Sequence, residues 1–309
     1  MPRKSVRYHV ILSAIAGALF SASLQSAQWG AVEVAGRQIW PGETLRFPYG
    51  GESSFESSFL DAPVFVARGT RHGPALCMTA GIHGDDINGT EIARRAFSWI
   101  DPAALSGTVI VFPMVNAAGV RSGNRYMQDR RDLNRAFPGR SNGSVTSLVA
   151  HMLFSDIQRN CNYLLELHTR SFSRSNHPQI RVGPNDDRAF ELARHFGVGI
   201  VVIDDGPNGS IRREASDIGI PAIIFEAGEP SRFDLDLIAS GVQGIESVMA
   251  HLGMIEGGTA HNITAKDCKF AMDFRVVPGE NKDAWATAYL KKVQAVEKQM
   301  QSVVPETRI

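Results

Sequence analysis

Three apolar runs, each ending on ionisable residues, constrain this chain more than anything else in it. Ala75 to Ala80 has the length and composition of a buried strand, and it leads through Gly81-Ile82 into His83-Gly84-Asp85-Asp86. Asn162 to Leu167 leads into His168-Thr169-Arg170, and Pro221 to Phe225 leads into Glu226-Ala227-Gly228. In open α/β sheets the carboxyl ends of the strands are where ligands bind. His83 and Asp86 are three residues apart in a tight loop, so an imidazole nitrogen and a carboxylate oxygen can reach one cation. With His168 they make two histidines and one carboxylate, a donor set suited to zinc that leaves a position open for water. Glu226 is then a spare carboxylate placed to take a proton from that water. Taken alone, His83 could equally be a strand-end residue capping backbone; the convergence of three strand ends favours the metal.

Four segments carry a resemblance: Gly81 to Gly89, Asp129 to Gly139, Leu167-His168-Thr169 and Phe225 to Gly228. Together, and in this order, they resemble the succinylglutamate desuccinylase/aspartoacylase family over roughly residues 30 to 253. The resemblance implies a zinc carboxypeptidase-like α/β fold, a mixed and mostly parallel sheet flanked by helices on both faces. It implies one Zn2+ held by His83, Asp86 and His168, with Glu226 as general base. It also implies that Arg125, Asn134 and Arg135 lie at substrate-anion positions, Arg125 polarising a carbonyl or holding a carboxylate. The family usually has Glu where this chain has Asp86, and Gly84 and Gly89 are expected to lend the loop the freedom to bring the shorter side chain in. The implied substrate is an N-acyl amino acid. Two other readings stay open, an exported carboxypeptidase or amidase acting on peptides, and a metal-poor binding protein that keeps the pocket without turnover.

Elsewhere the pattern predicts strands at Val32 to Val34, Pro63 to Arg68, Thr108 to Val115 and Ile200 to Ile203. Helices are expected at Glu91 to Ile100, Ser144 to Arg159, Asp186 to Phe196, Ser210 to Ile218 and Asp234 to Leu252, the last with Gly241 as a kink. Leu148, Met152, Leu153 and Ile157 form the expected apolar stripe of the second helix. Asn116 to Gly143 reads as a long arginine-bearing loop, and loops of that length in compact domains usually serve function. Arg174, Asn176 and Gln179 are candidate pocket residues. Glu166, two before His168, shares its strand face and either orients that ring or pairs with an arginine.

Lys and Arg number 32, matched by 32 Asp and Glu, and this zero balance argues against a nucleic-acid or anionic-membrane partner. A small, carboxylate-bearing molecule is the expected partner. Residues 1 to 27 read as an export signal, with Arg3, Lys4 and Arg7 before the apolar stretch Val10 to Leu24, which points to the bacterial periplasm. No later run of apolar residues is long enough to span a bilayer. The catalytic domain is expected at 28 to 253. The tail, 254 to 309, resembles a fragment of the acetylornithine deacetylase lid domain. Cys77, Cys161 and Cys268 fit no disulfide ladder or zinc spacing, and the first two are expected as buried thiols.

Overall fold

A computed structural model of the chain describes residues 29–49, 62–170 and 174–255, with isolated helical positions between Thr287 and Lys298. The expected signal at 1 to 27 lies outside the described residues, as does nearly all of the tail. Two compact units divide the chain, Met1–His261 and Asn262–Ile309. The first holds all the elements below.

A hairpin of β1 (Val32–Val34) and β2 (Arg37–Ile39) precedes the main sheet. The sheet's strands are β3 (Thr44–Pro48), β4 (Pro63–Arg68), β5 (Arg71–Ala80), β6 (Ser106–Phe112), β7 (Tyr163–His168), β8 (Asn176–Val182), β9 (Val201–Ile203) and β10 (Ala222–Gly228). Their spatial order is β3-β4-β6-β5-β7-β10-β8-β9. The middle four, β6, β5, β7 and β10, are mutually parallel, while β4 and β8 join them antiparallel. The mixed, mostly parallel sheet read from the sequence is the sheet observed.

Side-chain alternation divides the central strands cleanly between two faces. Leu76, Met78 and Ala80 of β5, Leu165 and Leu167 of β7, and Ile223, Phe225 and Ala227 of β10 belong to one core cluster. That face is covered by α1 (Ile87–Ser98), α4 (Asp187–Phe196) and α6 (Leu235–His251), through residues such as Ile92, Phe97, Leu192, Phe196, Ile245 and Val248. The alternate positions, Cys77, Leu164 and Ala222, pack with α3 (Val145–Asn160), α5 (Ile211–Asp217) and the β1–β2 hairpin. By the same alternation Thr79, Glu166, His168 and Glu226 point to this second face, toward the carboxyl end of the strands. Along the central strands one face of the sheet is thus apolar, and the other turns polar where the parallel strands end.

The segment expected as one loop, Asn116 to Gly143, contains structure. Six of its residues form the short helix α2 (Ala117–Ser122), started by the Asn116 side chain accepting from Gly119 N and ended by Gly123 at φ 63°. A 3₁₀ turn at Leu133–Arg135 is capped by Asp132. Both pieces are too short for hydrophobic periodicity to announce them. In α3 the buried stripe is Val149, Ala150, Leu153, Phe154 and Ile157, one position round from the expected one, because apolar residues occupy two neighbouring stripes of this helix. The helix α6 runs through Gly241 without a break, and a Cβ there would meet Ile92 Cδ1 at 2.6 Å. Glycine at that position lets α6 lie close on α1.

The cysteine expectation is overturned, since Cys77 and Cys161 form a disulfide with Cα atoms 5.7 Å apart. The reason is register. Cys77 lies opposite Leu164 in the β5–β7 ladder, which brings the residues just before β7 across the same face, although 84 positions separate the two cysteines. Closing so long a loop stabilises mainly by restricting the unfolded chain. Replacing both residues by alanine is expected to lower the unfolding free energy by ~2–4 kcal/mol. Urea denaturation checks this, and an unchanged midpoint would mean the bridge adds nothing.

Candidate metal centre

β5 ends at Ala80, and the next residues turn through Gly81 at φ 59° so that His83 and Asp86 hang over the sheet's edge. β7 delivers His168 as its last residue. The three side chains are buried and offer donor atoms lying within 4.8 Å of one another. Asp86 Oδ2 sits 3.1 Å from His83 Nδ1 and 2.6 Å from His168 Nδ1. Its other oxygen accepts from the Thr169 hydroxyl at 2.6 Å and from Thr169 N at 3.3 Å. Both imidazoles therefore turn Nδ1 inward toward a common point.

Their Nε2 atoms face outward onto carboxylates. His83 Nε2 lies 3.1 Å from Asp132 Oδ1, and His168 Nε2 lies 2.6 Å from Glu166 Oε1. A carboxylate behind each ring stabilises the Nε2–H tautomer, aims the Nδ1 lone pair and raises its basicity, the arrangement that metal-bound histidines generally have. Asp132 is steadied in turn by Arg125 Nη2 at 2.9 Å and by Asn134 N at 2.9 Å. By donor type and backing, the residues present fit a divalent cation of the zinc kind.

Charges respond to this packing. Burial alone would raise the Asp86 pKa, but hydrogen bonds to His168 and His83, and their charge, hold it well below the usual carboxylate range. Asp132 behaves alike: burial opposes, and His83 and Arg125 prevail and lower it. Burial would lower His168, yet the charge of Glu166 and hydrogen bonds to Asp86 and Glu166 hold its pKa well above the ordinary histidine value.

Glu226 stands one strand over, paired in register with His168 and on the same face. Its Oε2 accepts from Asn176 Nδ2 at 2.6 Å and Gln179 Nε2 at 3.2 Å, and Arg181 Nη1 is 3.7 Å away. β8, antiparallel to β10, supplies all three partners. Asn134, expected to meet substrate, is buried and bonded to Glu166. Arg135 is exposed, with Nη1 on the Asn134 carbonyl at 2.6 Å. Arg174 is exposed at the approach to β8. Gly84 and Gly89 do not lend the loop freedom; they admit close packing. A Cβ on Gly84 would come 2.1 Å from Gly119 C, and one on Gly89 would come 2.7 Å from Leu167 O. Sequence reasoning missed Asp132, although an acid beside the arginines and two residues before Asn134 is a signal once a second histidine needs a partner. It also missed Arg212, 1% exposed and tied to Asp204 Oδ1 at 2.8 Å, for which the sequence carries no signal.

Over residues 72–252, more than half its length, the chain matches the succinylglutamate desuccinylase/aspartoacylase catalytic domain. The chain belongs to this family. A second family model, the peptidase dimerisation domain, matches residues 211–301 and so takes in much of the tail that resembles a lid domain. Among curated relatives, the N-alpha-acetyl-L-2,4-diaminobutyric acid deacetylase of Halomonas elongata is 26% identical over 221 residues, 69% of this chain and 64% of the relative. A succinylglutamate desuccinylase/aspartoacylase structure from Rhodobacter sphaeroides is 28% identical with a TM-score of 0.60, covering 64% of this chain and 60% of that one. The chain thus spans a little under two thirds of these relatives. The product-bound ectoine utilization protein EutE (DoeB) of Ruegeria pomeroyi shares the fold at 20% identity and a TM-score of 0.65, covering 74% and 72% of the two chains.

The charge pattern predicts how stability of the metal-free family member depends on pH. His168, raised in the folded state, contributes stability that is complete below the unfolded value of 6.5 and lost as pH climbs through the folded value. Asp86 and Asp132, lowered, contribute above the unfolded value of 3.8, and this is lost as pH falls through their folded values. The Tm of metal-free protein is therefore expected to fall from pH 6.5 to 9, while excess zinc, which needs the deprotonated ring, reverses the trend. Parallel pH profiles with and without metal would contradict it.

Proposed function

We propose that the chain is a zinc-dependent deacylase that hydrolyses the amide bond of an N-acyl amino acid. The observation that carries this reading is the pair of carboxylate-backed histidines sharing Asp86, with Glu226 in register on the neighbouring strand. Family membership supports the amidohydrolase class, and the Halomonas elongata relative, a deacetylase of an acetylated diamino acid by its name, supports the N-acyl amino acid. His83 and His168 would hold zinc through Nδ1, with Asp86 as the third ligand. Zinc bound there supplies a Lewis acid that polarises an acyl carbonyl and brings a water pKa toward ~7.

Glu226 takes the proton from the attacking water and returns it to the departing amine. Its Oε2 is fixed by Asn176 and Gln179, and Oε1 takes no part in those contacts. Arg125 serves first as the partner of Asp132, lending its charge to the wall of the site from behind His83. Arg135, an exposed residue with one nitrogen on backbone, is the first candidate to meet the carboxylate of the amino acid. Arg174 is the second candidate for that anion.

Export belongs to the same proposal. Disulfides persist in oxidising compartments, and the Cys77–Cys161 bridge supports the reading of residues 1 to 27 as a periplasmic signal. Zinc-loaded protein should release amine from N-acyl amino acids. Glu226→Gln is expected to reduce kcat by ~10²–10⁴-fold with zinc content near that of wild type; full activity in the variant would remove Glu226 from the reaction. Arg135→Ala is expected to raise KM by roughly 10- to 100-fold for substrates with a free carboxylate, the loss of a charge-assisted contact. An equal rise for the corresponding amides would make Arg135 structural.

A further inference from the structure

Asn134 stands where the resemblance expects a substrate ligand, and its contacts also reach the groups behind the two histidines. The residue is 6% exposed. Its Nδ2 donates to Glu166 Oε1 at 2.8 Å, and its Oδ1 accepts from Ile211 N, the first residue of α5, at 2.9 Å. The orientation of the amide follows from chemistry, since a backbone N–H requires an acceptor and a carboxylate requires a donor. Its own backbone N donates to Asp132 Oδ1 at 2.9 Å. One residue thus touches the carboxylate behind each of the two histidines.

Glu166 makes the arrangement consequential. Its side chain is fully buried, and Oε2 has no hydrogen-bond partner among the described residues. Every contact holding the carboxylate falls on Oε1, where His168 Nε2 is at 2.6 Å and Asn134 Nδ2 at 2.8 Å. The buried Arg212 guanidinium spends its hydrogen bonds on Asp204, so it does not fix the direction of either oxygen. Asn134 is therefore the group that aims Oε1 at the histidine.

We propose that Asn134 is a positioning residue of the metal centre, acting through Glu166 on His168. The proposal rests on the reading of His83, Asp86 and His168 as a zinc site. Without the amide, Glu166 is restrained only by the ring it is meant to orient, and ring and carboxylate can swing together. Nδ1 then loses its fixed aim and some basicity, and metal affinity falls before any substrate is present.

The test compares wild type, Asn134→Ala, Asn134→Asp, Glu166→Gln and the Asn134→Ala/Glu166→Gln double variant. The readouts are the zinc dissociation constant from chelator competition and the visible spectrum of the Co2+-substituted protein. Asn134→Asp keeps an acceptor for Ile211 N and sets an oxygen against Glu166, so it carries the test if the alanine variant fails to fold. Both Asn134 variants are expected to bind zinc ~10–100-fold more weakly, with an altered Co2+ spectrum. In the Glu166→Gln background, Asn134→Ala should change affinity by less than about threefold, because the two residues act as one unit. Wild-type zinc affinity in the Asn134 variants would overturn the proposal. So would losses that simply add in the double variant. A wild-type protein that takes up no zinc would instead sink the metal reading, and this proposal with it.

Discussion

Asp86 carries a charge that the fold has taken entirely out of water, and the site is arranged around meeting that cost. An isolated ionised carboxylate at such depth is untenable without hydrogen-bond donors or a cation. Both oxygens are met, Oδ2 by the two imidazoles and Oδ1 by Thr169. Losing one partner of a buried ion pair typically costs ~3–5 kcal/mol, because the charge left behind is uncompensated. The residues that could hold a metal are thus already drawn together by the requirement to satisfy one acid.

That requirement can be met only because three strands keep one register. Thr79 faces Glu166 across β5 and β7, and His168 faces Glu226 across β7 and β10. A one-residue slip of β7 would exchange Glu166 and His168 for Leu165 and Leu167 at the polar edge. The apolar face under α1, α4 and α6 opposes such a slip. On the other face the Cys77–Cys161 bridge joins β5 to the start of β7. The precision of the site is therefore set by packing on the far face together with a covalent tie on its own.

The strands and the His83, Asp86, His168 set were legible because each effect is local: apolar runs stop, and ionisable residues follow at the stops. Glu226 was legible on the same ground, although β10 runs on to Gly228 and places it inside the strand. What could not be read depends on distant parts of the chain meeting. The disulfide needs the β5–β7 register. The Asp132–His83 and Asn134–Glu166 contacts need the arginine-bearing segment to fold back over the sheet, and nothing in its periodicity says that it does. The glycines of the His83 loop were misread for a related reason. Glycine at a free turn and glycine under a crowding neighbour look the same in sequence, and Gly84 proves to be the second kind.

Gly84 also bears on how this centre could be altered by an engineer. Asp86→Glu, which restores the residue usual in the family, looks conservative on paper. Here the added methylene has to be taken up by the loop that carries it. The carboxylate is already within hydrogen-bonding distance of its partners, and the loop cannot retreat from them because Gly84 is seated against the backbone of Gly119 and Asn124. A redesign toward the longer ligand must open the α2 segment first, so the metal ligand and a helix with no part in the chemistry have to be changed as a single unit.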